Sequence, residues 1–158
     1  MLLDLDRTDA GRSRWPVAGE IPLEAAAAAA LAVRIAGDLV VDNLESRVLV
    51  SGEVTASGDA ECDRCLESFP VTFPVPVEIL ILRDTGMEDE ADACTIHQKT
   101  GEVDLSGALR ESVLLAWPQK LICREDCAGL CPHCGANRND ERCDCTVEET
   151  DPRWEGLP

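Results

Sequence analysis

Tyrosine is absent from this chain of 158 residues, and only three Trp and two Phe supply aromatic rings. So few rings exclude a broad platform for stacking single-stranded bases. Basic residues are scarce too: 14 Lys and Arg stand against 31 Asp and Glu, a formal net charge of −17. Binding a duplex through its phosphates needs clustered Lys and Arg, so a general DNA-binding surface is excluded and a basic partner is favoured. Long apolar runs are missing as well, since the longest uncharged one, Ala25–Val33, is far shorter than a membrane span. Asp4 and Asp6 occupy the place where a signal peptide carries its basic region, and no apolar stretch follows them. The expected setting is cytoplasmic, without membrane contact. With two His in the chain and no HExxH, GxSxG or Gly-rich phosphate loop, acid–base or nucleophilic machinery has few candidates, and no enzymatic activity is expected.

The hydropathy pattern predicts an α+β fold: a bent antiparallel β-sheet, one or two helices, and a cysteine-rich zinc module at the C-terminal end. Residues 1–22 read as a mixed, turn-rich segment in which Arg7, Arg12 and Arg14 are balanced by Asp4, Asp6 and Asp9. Pro22 suits the first position of a short helix through Ala30, because Leu23–Ala30 has high helix propensity, or of a loop where packing overrides that propensity. From Leu31 the apolar period switches to two, with a turn expected at Gly37-Asp38 and strands at Leu39–Leu44, Arg47–Val54 and residues 71–82. Pro74 and Pro76 push the first half of that last strand to a sheet edge. Asp84–Asp92 is an acidic loop. Leu105, Leu109, Val113 and Ala116 mark the buried stripe of a helix that Asp104 can cap and Pro118 closes. Two domains are expected: 1–121, carrying strands, helix and the first CxxC, and 122–158, a metal module pinned to it.

Nine cysteines are the unusual abundance. In a reducing compartment, clustered thiols serve metals or redox chemistry rather than disulfides. Apart from the isolated Cys94, they fall into four close pairs: Cys62/Cys65, Cys123/Cys127, Cys131/Cys134 and Cys143/Cys145. Four pairs suit two tetrahedral four-sulfur sites, so two zinc ions are expected. Cys131, Cys134, Cys143 and Cys145 can close a short local loop in which Gly135 lets the chain turn. Cys62 and Cys65 would then meet Cys123 and Cys127 across 57 residues, a closure whose entropic cost grows only logarithmically. A swapped arrangement, with Cys123, Cys127, Cys131 and Cys134 together, stays open, and so does iron–sulfur ligation. His133, inside a CxxC, reads as a surface imidazole rather than a ligand. A closed four-thiolate site has no open position for water, which disfavours hydrolysis. A thioredoxin-like role for Cys62-Asp-Arg-Cys65 is also disfavoured, because this pair sits among strand patterns beside acidic neighbours.

A set of motifs in one order adds to this reading: Glu61-Cys-Asp-Arg-Cys-Leu-Glu67; Val103-Asp-Leu105 opening a helix that ends at Trp117-Pro118; Cys123-Arg-Glu-Asp-Cys127; Gly129-Leu-Cys-Pro-His-Cys-Gly-Ala-Asn137; Cys143-Asp-Cys145; and Asp151-Pro-Arg-Trp154. Over residues 61–154 the chain resembles the YceD family of large ribosomal RNA subunit accumulation proteins. The resemblance implies a cytoplasmic or organellar factor for accumulation or processing of large-subunit ribosomal RNA. Some members of that family lack the Gly-Leu-Cys segment and the terminal cysteines but keep counterparts of the other four, which supports the split into Cys62/65/123/127 and Cys131/134/143/145.

The function expected is therefore a non-catalytic zinc-binding ribosome-assembly factor. The alternative is a thiol- or zinc-responsive redox or metal sensor. Residues 119–158 carry five bases and nine acids, so the expected partner is a basic ribosomal or assembly protein of the large subunit, met by Asp84–Asp92 and Glu148–Asp151. A contact with large-subunit rRNA through Arg138, Arg142 and Arg153 is the competing choice.

Overall fold

The computed structural model describes residues 1–8, 10–23, 31–44, 46–83 and 94–145. Its elements in chain order are β1 (Leu2–Asp4), β2 (Gly11–Leu23), β3 (Leu31–Leu44), β4 (Arg47–Glu61), β5 (Ser68–Leu82), β6 (Cys94–His97), β7 (Glu102–Asp104) and α1 (Ser106–Ala116). Strands β2-β3-β4-β5-β6 form one five-stranded sheet, and β1 pairs with β7 in a second. The chain divides into two compact units: Met1–Ala60 with Pro70–Gln119, and Glu61–Phe69 with Lys120–Pro158. A cut after residue 121 thus misplaces the first CxxC, because the tip of the β4–β5 hairpin belongs with the C-terminal segment.

Alternation builds the strand unit. Along β5, Phe73, Val75, Val77 and Ile79 are buried while Thr72, Pro74, Pro76 and Glu78 between them are exposed. The buried face joins Ile35, Leu39, Val41, Val48, Val50 and Val54 of β3 and β4 in one hydrophobic cluster. Leu105, just ahead of α1, and Leu109 and Val113 within it complete the cluster, with Ala116 packed at its margin, so the helical stripe read from the sequence faces this core. Truncating a side chain as enclosed as Leu109 to Ala would cost about 2–5 kcal/mol. Trp117 caps the helix edge-on against Phe73, with ring centroids 5.3 Å apart. Asp104 is not the cap expected of it: it belongs to β7, Leu105 is the N-cap residue and no side-chain capping bond forms, although the Asp104 carboxylate accepts the Ser106 N–H at 2.9 Å.

Four local expectations are corrected. Residues 11–23 form a strand, not a turn-rich segment, and Pro22 pairs in it opposite Ala32. Pro16 and Pro22 are tolerated there because β2 is an edge strand. The rest of the proposed helix, residues 24–30, lies outside the described residues, as do most of the acidic loop (84–93) and the segment around Glu148–Asp151. Gly37-Asp38 makes no turn, and β3 runs straight through it with Val17 opposite Gly37. Glycine serves close approach here: a Cβ at Gly37 would lie 3.0 Å from the Val54 Cα. Finally, the sheet is mixed rather than antiparallel, since β5 and β6 run parallel, Ile79 opposite Cys94. β6 pairs only with Ile79–Leu82, which leaves Pro74 and Pro76 on an edge as their chemistry requires. Among the described residues α1 is the one helix, and no helix is long and apolar enough to cross a membrane.

Candidate metal centres

Among its described residues, the unit formed by Glu61–Phe69 and the C-terminal segment has little to bury except sulfur. Its hydrophobic cluster consists of Cys62, Cys65 and Cys127, with Phe69, Ile122 and Cys123 packed against them. A segment this small and polar needs a metal or disulfides in place of a core. All nine cysteines are free thiols.

The first quartet begins in the β4–β5 connection. The Cys62 N–H donates to the Glu67 carbonyl and the Leu66 N–H to the Cys62 carbonyl, both at 2.9 Å, so the loop folds back beneath its two sulfurs. Leu66 takes a left-handed φ of 60° to close it. Asp63 then aligns the incoming chain at Leu121: its N–H donates to the Leu121 carbonyl at 2.8 Å, and its carboxylate accepts the Leu121 N–H at 2.7 Å. Arg64 adds a bond from its guanidinium to the Cys127 carbonyl at 2.9 Å. These contacts deliver Cys123 and Cys127 to Cys62 and Cys65.

The second quartet is local. The Gly135 N–H donates to the Cys131 carbonyl at 2.9 Å and the Cys131 N–H to the Ala136 carbonyl at 2.8 Å. Gly135 has φ of +75°, the left-handed turn expected of a glycine at that place. Cys143 and Cys145 complete the set. His133 is exposed and belongs to neither quartet, and Cys94 opens β6.

Geometry thus groups the sulfurs as Cys62, Cys65, Cys123, Cys127 and as Cys131, Cys134, Cys143, Cys145, those within a group all lying within 4.8 Å of one another. The swapped arrangement is not formed. Four sulfurs about 2.3 Å from a central ion form a tetrahedron with edges of about 3.8 Å. Cys62 and Cys127 are 3.8 Å apart, and Cys65 and Cys123 are 3.7 Å apart. This spacing suits a single ion and is too tight to enclose a multi-iron cluster.

Protonation follows from the crowding. Burial opposes a thiolate at Cys62, but backbone N–H groups of Cys123, Cys65 and Arg64 prevail and bring it down to about 6. Cys65 is the reverse case: the Glu67 N–H favours its thiolate, yet burial and the three neighbouring sulfurs push it up to about 12. In the second quartet the N–H groups of Cys134 and His133 lower Cys131 to about 6, while the Cys134 sulfur and burial raise Cys145 to about 12. Without a cation, four adjacent thiolates repel, so each quartet keeps protons that an ion would displace.

Asn139 is the supporting residue that sequence reasoning missed. Its side-chain amide donates to the Cys127 sulfur at 3.4 Å, holding that thiol low. Its oxygen accepts the Ala128 N–H at 2.8 Å, and Asn137 accepts from both of its nitrogens. The Asn-Arg-Asn run after Cys134-Gly was the available signal. Asp63 was missed as well, having been weighed only as a charge beside a thiol.

The model of a family described as large ribosomal RNA subunit accumulation protein YceD matches residues 50–158, a stretch that holds both quartets. The chain belongs to the YceD family. Among the relatives of this YceD chain, an uncharacterised protein of Mycobacterium tuberculosis is 35% identical over 127 residues, covering 76% of this chain and 58% of the relative. An uncharacterised protein of Mycobacterium bovis matches to the same extent. The chain therefore spans little more than half the length of these mycobacterial proteins. The chloroplastic YCED homolog 1 of Arabidopsis thaliana, named a large ribosomal RNA subunit accumulation protein, is 38% identical over 63 residues, 40% of this chain and 20% of the plant protein. No solved structure matches this YceD chain.

Proposed function

We propose that this chain is a non-catalytic, zinc-binding factor in assembly of the large ribosomal subunit, promoting accumulation or processing of its RNA in the cytoplasm. The observation that carries this reading is the YceD match over both quartets, together with the closed four-sulfur geometry of each. All eight ligand positions are taken by sulfur, so each ion holds chain segments together and leaves no position for an activated water. Each loaded site adds two negative charges, which moves the formal charge from −17 to about −21. That charge supports a basic ribosomal or assembly protein as the main contact, ahead of direct binding to rRNA. Affinity purification of the tagged chain from cells tests the reading. Large-subunit precursor particles should co-purify, and depletion of the protein should lower large-subunit rRNA. Recovery of the protein free of precursor particles, with rRNA levels unchanged on depletion, would overturn it.

A second reading, a thiol- or zinc-responsive protein, is favoured by the exposure of Cys134 and Cys145. It calls for reversible zinc release with disulfide formation under mild oxidant, at a level that changes activity in the cell.

A further inference from the structure

We propose that the groove between α1 and the edge of β5 at Pro74–Glu78, unpaired on that side among the described residues, is a docking site for a cationic peptide segment with apolar anchors. This rests on the proposed basic partner and says where on the chain that partner is held. The groove is about 730 Å³ in volume and lies wholly within the strand unit. Its apolar lining includes Pro74, Pro76, Ala108 and Leu115. Leu115 is 88% exposed and Leu114 beside it 46%. Glu78 and Glu111 also line the groove, both are exposed, and among the described residues no basic side chain joins them. An apolar centre with a charged rim of one sign is the anatomy of an interface for an oppositely charged partner.

The backbone of β5 sharpens the choice of occupant. The Gln98 N–H donates to the Leu82 carbonyl beside β6, so even-numbered residues of β5 aim their backbone groups away from β4. Pro74 and Pro76 share that parity and have no N–H. With β6 beginning opposite Ile79, this stretch of edge, as far as the described residues go, offers carbonyl acceptors and lacks donors at both prolines. Such an edge resists a further strand, which needs alternating donors and acceptors, but it suits Lys or Arg side chains, which only donate. Acidic rim and acceptor edge therefore select the same ligand.

A fluorescein-labelled synthetic peptide of alternating Arg and Leu is the probe, with an alternating Glu and Leu peptide as its counterpart. Fluorescence anisotropy with the zinc-loaded full chain should show binding of the Arg peptide that weakens as salt rises, and none of the Glu peptide. Leu115→Asp, and the pair Glu78→Lys with Glu111→Lys, should each weaken binding by about tenfold or more. These side chains are exposed, and retained chemical-shift dispersion in NMR confirms that the variants fold. Amide shifts on binding should centre on Glu78, Ser112 and Leu115. Equal affinity in wild type and variants, no binding by wild type, or shifts confined to 131–145 would overturn the proposal. Self-association abolished by Leu115→Asp, with no peptide binding, would overturn it in favour of a second copy. If the variants lose the peptide but still sediment with precursor particles, the groove is refuted as the ribosomal contact while the assembly role stands. If wild type binds the peptide but never meets precursors, the assembly role fails and the groove stands.

Discussion

The two sulfur quartets have the same ligands and opposite constructions. The first gathers Cys62, Cys65, Cys123 and Cys127 from segments 57 residues apart, and three of its four sulfurs are buried. The second gathers Cys131, Cys134, Cys143 and Cys145 from one short stretch, with only Cys131 buried. Loop closure and burial therefore assign different work to identical chemistry. The first quartet is the core of its unit and joins the hairpin tip to the C-terminal segment. The second stiffens one local loop and shows its sulfur to solvent.

The most drastic way to break this comparison is to remove one sulfur from each site in turn. Cys65→Ser should unmake the cluster around Phe69 and Ile122, because structural zinc contributes on the order of 10 kcal/mol of apparent binding energy. Hydrogen exchange should then show lost protection throughout 62–67 and 121–139. Cys143→Ser should lower protection only near 128–145 and leave one ion of two by native mass spectrometry. The same footprint in both variants would mean that the quartets act as one cluster.

A next effect is on pH. Cys65 and Cys145, held up at about 12, keep their protons at neutral pH until an ion displaces them. Loading therefore releases protons, and affinity should rise with pH. It should fall steeply once acidification passes about 6, where Cys62 and Cys131 also become protonated. Competition with a chelator across that range measures it, and a flat profile would contradict thiolate ligation.

Accessibility sharpens the contrast further. Under limiting alkylating agent and chelator, exposed Cys134 should be modified before the buried Cys62, Cys65 and Cys127, because access limits the reaction, while Cys145, although exposed, is slowed by the proton it keeps. Peptide mass spectrometry gives the order, and early modification of Cys62 would reverse the assignment of core and periphery. The smallest effect should come from Asn139→Ala. It removes the amide that donates to the Cys127 sulfur and should weaken metal affinity about tenfold at the first site, leaving the second unchanged.

Much of the strand unit was legible because alternation is a local property. Val33 and Ile35, Val48 and Val50, and Val75 and Val77 announce buried faces two residues at a time. The stripe Leu105, Leu109, Val113 does the same for α1 at helical spacing. Local signals failed where long-range contact overrode them. Pro22 resembled a helix start but is a strand residue, since an edge strand has no use for its missing N–H. Gly37-Asp38 resembled a turn, but the glycine is there because the Val54 backbone passes within 3.0 Å of where its Cβ would be.

For the metal centres the division is similar. Sequence alone determined that eight sulfurs come in pairs, that tetrahedral ions suit them, and that the last four can close on one another, because CxxC and CxC spacings are geometric statements within one turn. Only the tertiary structure decided that Asp63 meets Leu121, that Asn139 supports Cys127, and that the hairpin tip leaves the strand unit to join the C-terminal segment. The physical reason is that the first and the last of these depend on closing a loop of 57 residues, whose outcome is set by three-dimensional packing, and that the Asn139 contact depends on how the chain folds back over the 12 residues after Cys127.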